Sequence, residues 1–208
     1  MPTMFLDPKE PIATCDSGDC GTCTIGEEVH CHFDGSDLTV FFFAIAPWAL
    51  TGAAGIWMFG VWWFAPWAAL IVGHFGFAEI RVLCVHCAHY AKQGKSLRCW
   101  TSFGSPRLWK YRPGPMSAME KAVFLGGLAL VMAYPLVFLA LGGRWLLLTF
   151  GALALIGFFV TLGHRFCSRC MNFSCPLNRV DEEVRSAFFE LNPKVADAWK
   201  DGESRTAG

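Results

Sequence analysis

The residues best suited to chemistry in this chain are its ten cysteines, and they come in groups. Cys84-Val85-His86-Cys87 and Cys167-Ser168-Arg169-Cys170 are two CxxC motifs, each followed by a third cysteine, Cys99 or Cys175. Cys15, Cys20, Cys23 and Cys31 form a further group near the N-terminus. A CxxC turn presents two sulfurs to one metal ion or cluster, and two such turns supply the four thiolates of a tetrahedral site. The same spacing also serves thiol redox chemistry, so the compartment decides between the two uses.

Compartment follows from the apolar runs. Leu38 to Ala78 contains no Asp, Glu, Lys or Arg, and Ala122 to Gly163 contains only Arg144. Each run is roughly 40 residues, about 60 Å as one helix and twice a hydrocarbon core of about 30 Å. Each run therefore folds back, with turns predicted near Phe59-Gly60 and at Leu141-Gly142-Gly143-Arg144. The expected fold is an all-α integral membrane protein with four transmembrane helices as two hairpins and cysteine-rich cytoplasmic segments. Its parts are an acidic cysteine-rich tail (1–37), hairpin 1 (38–80), a basic loop (81–120), hairpin 2 (121–163), and a cysteine segment with an amphipathic helix (164–208). Arg81, Lys92, Lys95, Arg98, Arg107, Lys110, Arg112 and Lys121 lie between the hairpins, and Arg165, Arg169 and Arg179 follow the last helix, against Arg144 alone on the other side. The positive-inside rule then places both termini in the cytoplasm and the protein in the inner, cytoplasmic membrane. Disulfides are disfavoured there, and metal ligation or redox chemistry is favoured.

The tail carries Asp7, Glu10, Asp16, Asp19, Glu27, Glu28, Asp34 and Asp37 against Lys9, so it either docks on the basic loop or stays solvated. Aligning the segments after the second and fourth helices sets Cys84 to Ala91 over Cys167 to Ser174: CxxC, any residue, His89 or Asn172, an aromatic, and a small residue. A hairpin followed by a cysteine segment is thus a unit used twice, and a pseudo-twofold bundle brings both segments to one end. One zinc ion needs four of those six thiols, whereas iron–sulfur clusters employ more of them.

Cys15-Asp16-Ser17-Gly18-Asp19-Cys20-Gly21-Thr22-Cys23 resembles the C-x4-C-x2-C signature of plant-type [2Fe–2S] ferredoxins over those nine residues. The resemblance implies a cluster held by Cys15, Cys20 and Cys23, with Gly18 and Gly21 supplying positive φ and bare amides near sulfur. It does not extend to the fold: only 14 residues precede Cys15, and the fourth ligand candidate, Cys31, follows early. His30 and His32 are substitute ligands, and a zinc knuckle or an unmetallated tail are the alternatives. Cys175-Pro176 resembles the end of the bacterial ferredoxin run, with a different spacing.

Inside the membrane, His74 and His164 differ in depth by about 10 Å along the helix axis, which argues against a shared haem. His74 with Glu79 and Arg81 is an ionisable cluster beside the first cysteine segment, a candidate quinone or proton site. Trp48, Trp57, Trp62, Trp63, Trp67, Trp109 and Trp145 read as lipid-facing or interfacial anchors. Asp181 to Leu191 reads as an amphipathic helix presenting Val184, Phe188 and Leu191, ended by Asn192-Pro193, that covers the cysteines or meets a partner. The chain contains no nucleophile triad, Walker loop or dinucleotide fingerprint, and no nucleic acid is expected as a partner.

Three functions fit these features. The first is a membrane-anchored iron–sulfur protein, a subunit of an oxidoreductase complex, relaying electrons between a cytoplasmic oxidoreductase and quinone or a membrane partner. The four-helix plan with cysteines at helix ends resembles quinone-linked iron–sulfur membrane subunits. The second is a zinc-stapled scaffold or assembly protein. The third is a four-helix thiol-disulfide oxidoreductase resembling the bacterial disulfide-forming membrane enzymes; the charge asymmetry opposes it.

Overall fold

The computed structural model describes residues 11–17, 19–32, 35–91, 96–97, 99, 102 and 104–206. Gly18, Asp34, Lys92, Lys95 and Arg98, to which the sequence reading gave roles, lie outside them, as do Asp7, Lys9 and Glu10. Among the described residues the secondary structure is helical. Four helices are long and apolar enough to cross a membrane: α1 (Gly35–Phe59), α2 (Val61–His86), α3 (Ala118–Leu141) and α4 (Trp145–Arg169). Two amphipathic helices follow, α5 (Glu182–Leu191) and α6 (Pro193–Thr206).

The spans start and stop for local reasons. Gly60 alone separates α1 from the opening 3-10 turn of α2, Val61–Trp63. Ser117 caps α3 through a capping box, its hydroxyl accepting from the Glu120 N–H while the Glu120 carboxylate accepts from the Ser117 N–H. Gly143, at φ 66°, supplies the left-handed turn into α4. Both α2 and α4 contain a π-turn, His74–Ala78 and Leu162–Phe166. Both also close on a 3-10 turn, Cys84–His86 and Cys167–Arg169, so the helices run beyond the predicted boundaries and their last turns carry the first cysteines.

Helix α1 packs most extensively on α4 and α3, and α2 packs on α3. Missing side chains allow the close approach: a methyl group on Gly52 would fall 2.7 Å from Pro135, and one on Gly55 would fall 2.6 Å from Leu139. Phe42, Leu50, Leu153 and Ile156 point outward, as hydrocarbon solvent permits. The tryptophan reading needs correction at two positions. Trp48 and Trp67 are buried, edge to face at 6.0 Å, and the Trp67 indole N–H donates to the Val131 carbonyl at 3.3 Å. That hydrogen bond lets the polar edge of Trp67 sit inside the bundle. Trp57, Trp62 and Trp145 are exposed near the short turns.

The cysteine segments meet at the opposite end. The Asn172 side-chain amide donates to the Leu83 carbonyl (3.1 Å), the Arg112 N–H to Val85 (2.9 Å) and the His30 N–H to Arg169 (2.8 Å). Among the described residues of the tail, Asp16, Asp19, Glu27 and Glu28 are exposed while the apolar side chains dock, partly on the 81–120 loop, where His89 Nε2 also lies 3.3 Å from the His30 carbonyl. Ile12, Ile25 and Val29 join Phe188 of α5 and Val195 of α6 in one apolar cluster with Cys87, Ala88 and Met171. Burial of aliphatic surface, more than charge, holds the tail. Its ion pairs run through Asp37, which meets His30 at 3.1 Å and Arg165 at 3.2 Å. α5 ends at Asn192 as expected, but Pro193 then starts α6, a helix the sequence reading missed; proline suits a first helical position.

Candidate metal centre

Cys15, Cys20, Cys23 and Cys31 line one cavity of about 410 Å³. Ile12, Ile25, Phe188 and Leu191 form apolar wall, while Glu27 and Glu28 stand on its exposed side. Short turns position the sulfurs: the Cys15 N–H donates to Ile12, Cys23 to Cys20 and Gly26 to Cys23. The Asp16 N–H donates to Leu191 and the Thr14 hydroxyl to Asn192, tying this loop to the α5–α6 junction.

The glycine roles implied by the ferredoxin resemblance do not hold at Gly21. Its φ is not positive, and its N–H donates to the Asp19 carboxylate at 2.8 Å, not to sulfur. A short Asp side chain captures that amide locally, as aspartates in turns do. The N–H directed at sulfur is that of Ser17, 3.4 Å from Cys15 Sγ.

Two of these thiols, Cys31 and Cys20, are held in their neutral form. Burial, then the neighbouring Cys23, Cys15 and Cys20, push the Cys31 thiol up to about 12. Cys20 is raised by burial, then by Cys15, Cys23 and Asp19. Both shifts favour the neutral thiol, whereas a bound metal would invert this logic and deprotonate its ligands. All ten cysteines are without disulfides. Among the described residues no three His, Cys, Asp or Glu side chains converge as a closed metal-coordination group, so the tail sulfurs ring a space instead of meeting at a point.

The second cysteine group is built from separate segments. The two CxxC turns share one backbone: Leu83 and Phe166 precede them at φ −113°, ψ −56° and φ −106°, ψ −51°, and Cys87 and Cys170 leave them extended at ψ 139° and 122°. The repeat seen in the sequence is thus a repeat of conformation. Burial and then Cys170 and Cys99 hold the Cys87 thiol well above its usual range. Burial and then Cys99 and Cys175 do the same for Cys170. Cys175 is pushed up to about 12 by burial, partly offset by the Leu177 N–H, with Cys167 and Glu79 adding to the rise. Cys99 is thus an electrostatic neighbour of both Cys87 and Cys170, as its place after the first CxxC led one to expect.

A hydrogen-bonded frame around this group also escaped the sequence reading. His86 Nδ1 and the Ser174 hydroxyl both meet the Gly114 carbonyl, at 3.0 and 2.7 Å. Glu120 lies 3.6 Å from His86 Nε2 and 2.5 Å from Arg112. Gly114, at φ 113°, lets α6 approach so closely that a methyl group would fall 2.9 Å from the Ala198 carbonyl. The Ser117-x-x-Glu120 capping signature was the one readable sign of this frame. The two groups adjoin: Cys15, Cys23 and Cys31 pack against the apolar cluster of which Cys87 is a member.

His74 and Glu79 are both buried on α2, at 6% and 5% exposure, whereas His164 is exposed on α4. Among the described residues Nε2 of His74 has no hydrogen-bond partner. No protein-family profile, curated protein sequence or solved structure matches this chain.

Proposed function

We propose that the chain is a membrane-anchored iron–sulfur electron-transfer protein, relaying electrons between a cytoplasmic oxidoreductase and the membrane phase. The observation that carries this reading is the ring of Cys15, Cys20, Cys23 and Cys31 around a cavity of about 410 Å³. Zinc draws four thiolates in to about 2.3 Å. A cluster sets irons and sulfides between its thiolates, so it suits sulfurs held around a space far larger than the roughly 30 Å³ of a water molecule. Bound there, such a centre supplies one-electron chemistry.

The chain's own residues do the rest. Phe188 and Ile25 keep one side of the cavity dry, and the Ser17 N–H stabilises charge on Cys15 sulfur. The shared cluster around Cys87 puts the second cysteine group next to the first, which suits two centres in series. Four spans as two hairpins, with both termini in the cytoplasm of an inner membrane, follow from the bases at the cysteine end against Arg144 alone at the other. Oxidoreductase subunits would then meet the cysteine face, and lipid the bundle.

The test is the absorption spectrum of the full chain purified without oxygen. A brown protein that dithionite bleaches is expected, and a colourless protein with stoichiometric zinc overturns the reading in favour of a zinc-stapled scaffold.

A further inference from the structure

His74 lies ten residues before Cys84, about 15 Å back along α2 and within its membrane-spanning length. Its ring is clamped between α2 and α3. A methyl group on Gly127 would fall 2.2 Å from Nδ1 and 2.6 Å from Cε1, so the absent side chain of α3 is what admits the imidazole. Phe124 stacks on the ring at 6.1 Å and 25°, and Phe75 meets it edge-on at 4.9 Å. Held this way, Nε2 is buried with no hydrogen-bond partner among the described residues. A buried ring nitrogen in hydrocarbon is costly to leave unsatisfied, and a group of this kind calls for a ligand to explain it.

The surroundings define the ligand's chemistry. Gly73 and Gly126, the chain neighbours of His74 and Gly127, are exposed with no heavy atom within 4 Å of where a side chain would begin, so the surface of α2 and α3 next to the clamp is bare toward lipid, the side from which a ligand would approach. The neighbouring rings suit a flat conjugated molecule, and Nε2–H suits a carbonyl oxygen. On the inner side, Phe124 belongs to the apolar cluster of Val82, Leu83 and Met116, against which Cys175 packs, and Glu79 reaches Cys175 electrostatically. We infer that His74 Nε2 donates a hydrogen bond to a carbonyl of a lipid-soluble quinone seated between α2 and α3 beneath the second cysteine group. The choice of a quinone among lipid-soluble carbonyl compounds rests on the electron-transfer reading; the site itself does not.

The test uses the full-length protein in nanodiscs and a photoreactive short-chain benzoquinone. Labelling is expected within residues 70–80 and 120–130, falling roughly tenfold in His74→Leu with the loss of one buried hydrogen bond and recovering in His74→Gln, which keeps an N–H. Gly126→Leu, which fills the open side without touching the clamp on the ring, is expected to lower labelling as well. Labelling elsewhere, or undiminished labelling in His74→Leu and Gly126→Leu, overturns the assignment. Running the experiment on metal-loaded and metal-stripped protein separates the two claims: a colourless protein that labels at His74 keeps the site and loses the electron-transfer reading, and a brown protein without labelling does the reverse.

Discussion

The tail and the bundle hold their cysteines in opposite ways. Cys15, Cys20, Cys23 and Cys31 come from one short loop, are all partly exposed, and surround an open space. Cys84, Cys87, Cys99, Cys167, Cys170 and Cys175 come from two regions far apart in the chain, with Cys87 and Cys167 buried. The loop group is cheap to assemble and takes part of its apolar wall from α5, through Phe188 and Leu191. The bundle group is assembled only when the four spans have packed. A cysteine on the border, Cys87, belongs to the second group and to the apolar cluster that docks the first.

That asymmetry predicts unequal mutants. Cys87→Ser is expected to empty the bundle group and to loosen the tail, so metal content falls at both; Cys20→Ser is expected to empty the tail alone, because Cys20 lies outside the shared cluster. Metal counts on the two variants check this, and equal losses would remove the distinction. Phe188→Ala comes next in size. Its ring is 1% exposed and packs on Phe173 at 5.0 Å, so truncation costs about 3–5 kcal/mol of local packing. Limited proteolysis should then cut within 11–32 while the spans stay protected. Cleavage spread through the bundle would show that the two regions are one cooperative unit.

Acidity and alkalinity act on the tail in opposite directions. The Cys31 thiol is raised from its ordinary 9.0 to about 12, so the folded metal-free tail favours the neutral thiol. A group raised on folding contributes stability that is complete below its unfolded value and is lost on the way up to its folded one. Metal-free tail docking should therefore weaken between pH 9 and 12, followed by tryptophan fluorescence near Trp199. Metal loading should improve over the same rise, because ligation requires thiolates. Docking that is indifferent to pH across this window would mean that Cys31 does not sit in the closed loop. The smallest effect belongs to Asp37→Asn, which weakens the links to His30 and Arg165; with Arg165 half-exposed, about 1 kcal/mol or less is expected in thermal melts.

The same contrast explains what could be read from the residues alone. The four long apolar helices were legible because charge-free runs and glycines act locally; Gly60 separates α1 from α2, and Gly143 supplies the left-handed residue before α4. The tail's cysteines were legible because their spacing fits one loop. The Gly114 frame and the docking of Ile12, Ile25 and Val29 under Phe188 were not. Each depends on contacts between segments far apart in sequence, which no local period encodes. Trp48 and Trp67 were misplaced for a related reason. An indole looks like an interfacial anchor until a carbonyl on another helix, Val131, accepts its N–H.

The most direct test of the central claim is a count of iron, acid-labile sulfide and zinc in the full chain isolated without oxygen, alongside the same count for a chain lacking residues 1–37. Iron and sulfide in both, with the shorter chain retaining only part, is the result predicted by the proposal that the tail and the bundle hold separate centres. Zinc in place of iron, with no sulfide in either chain, would contradict the account.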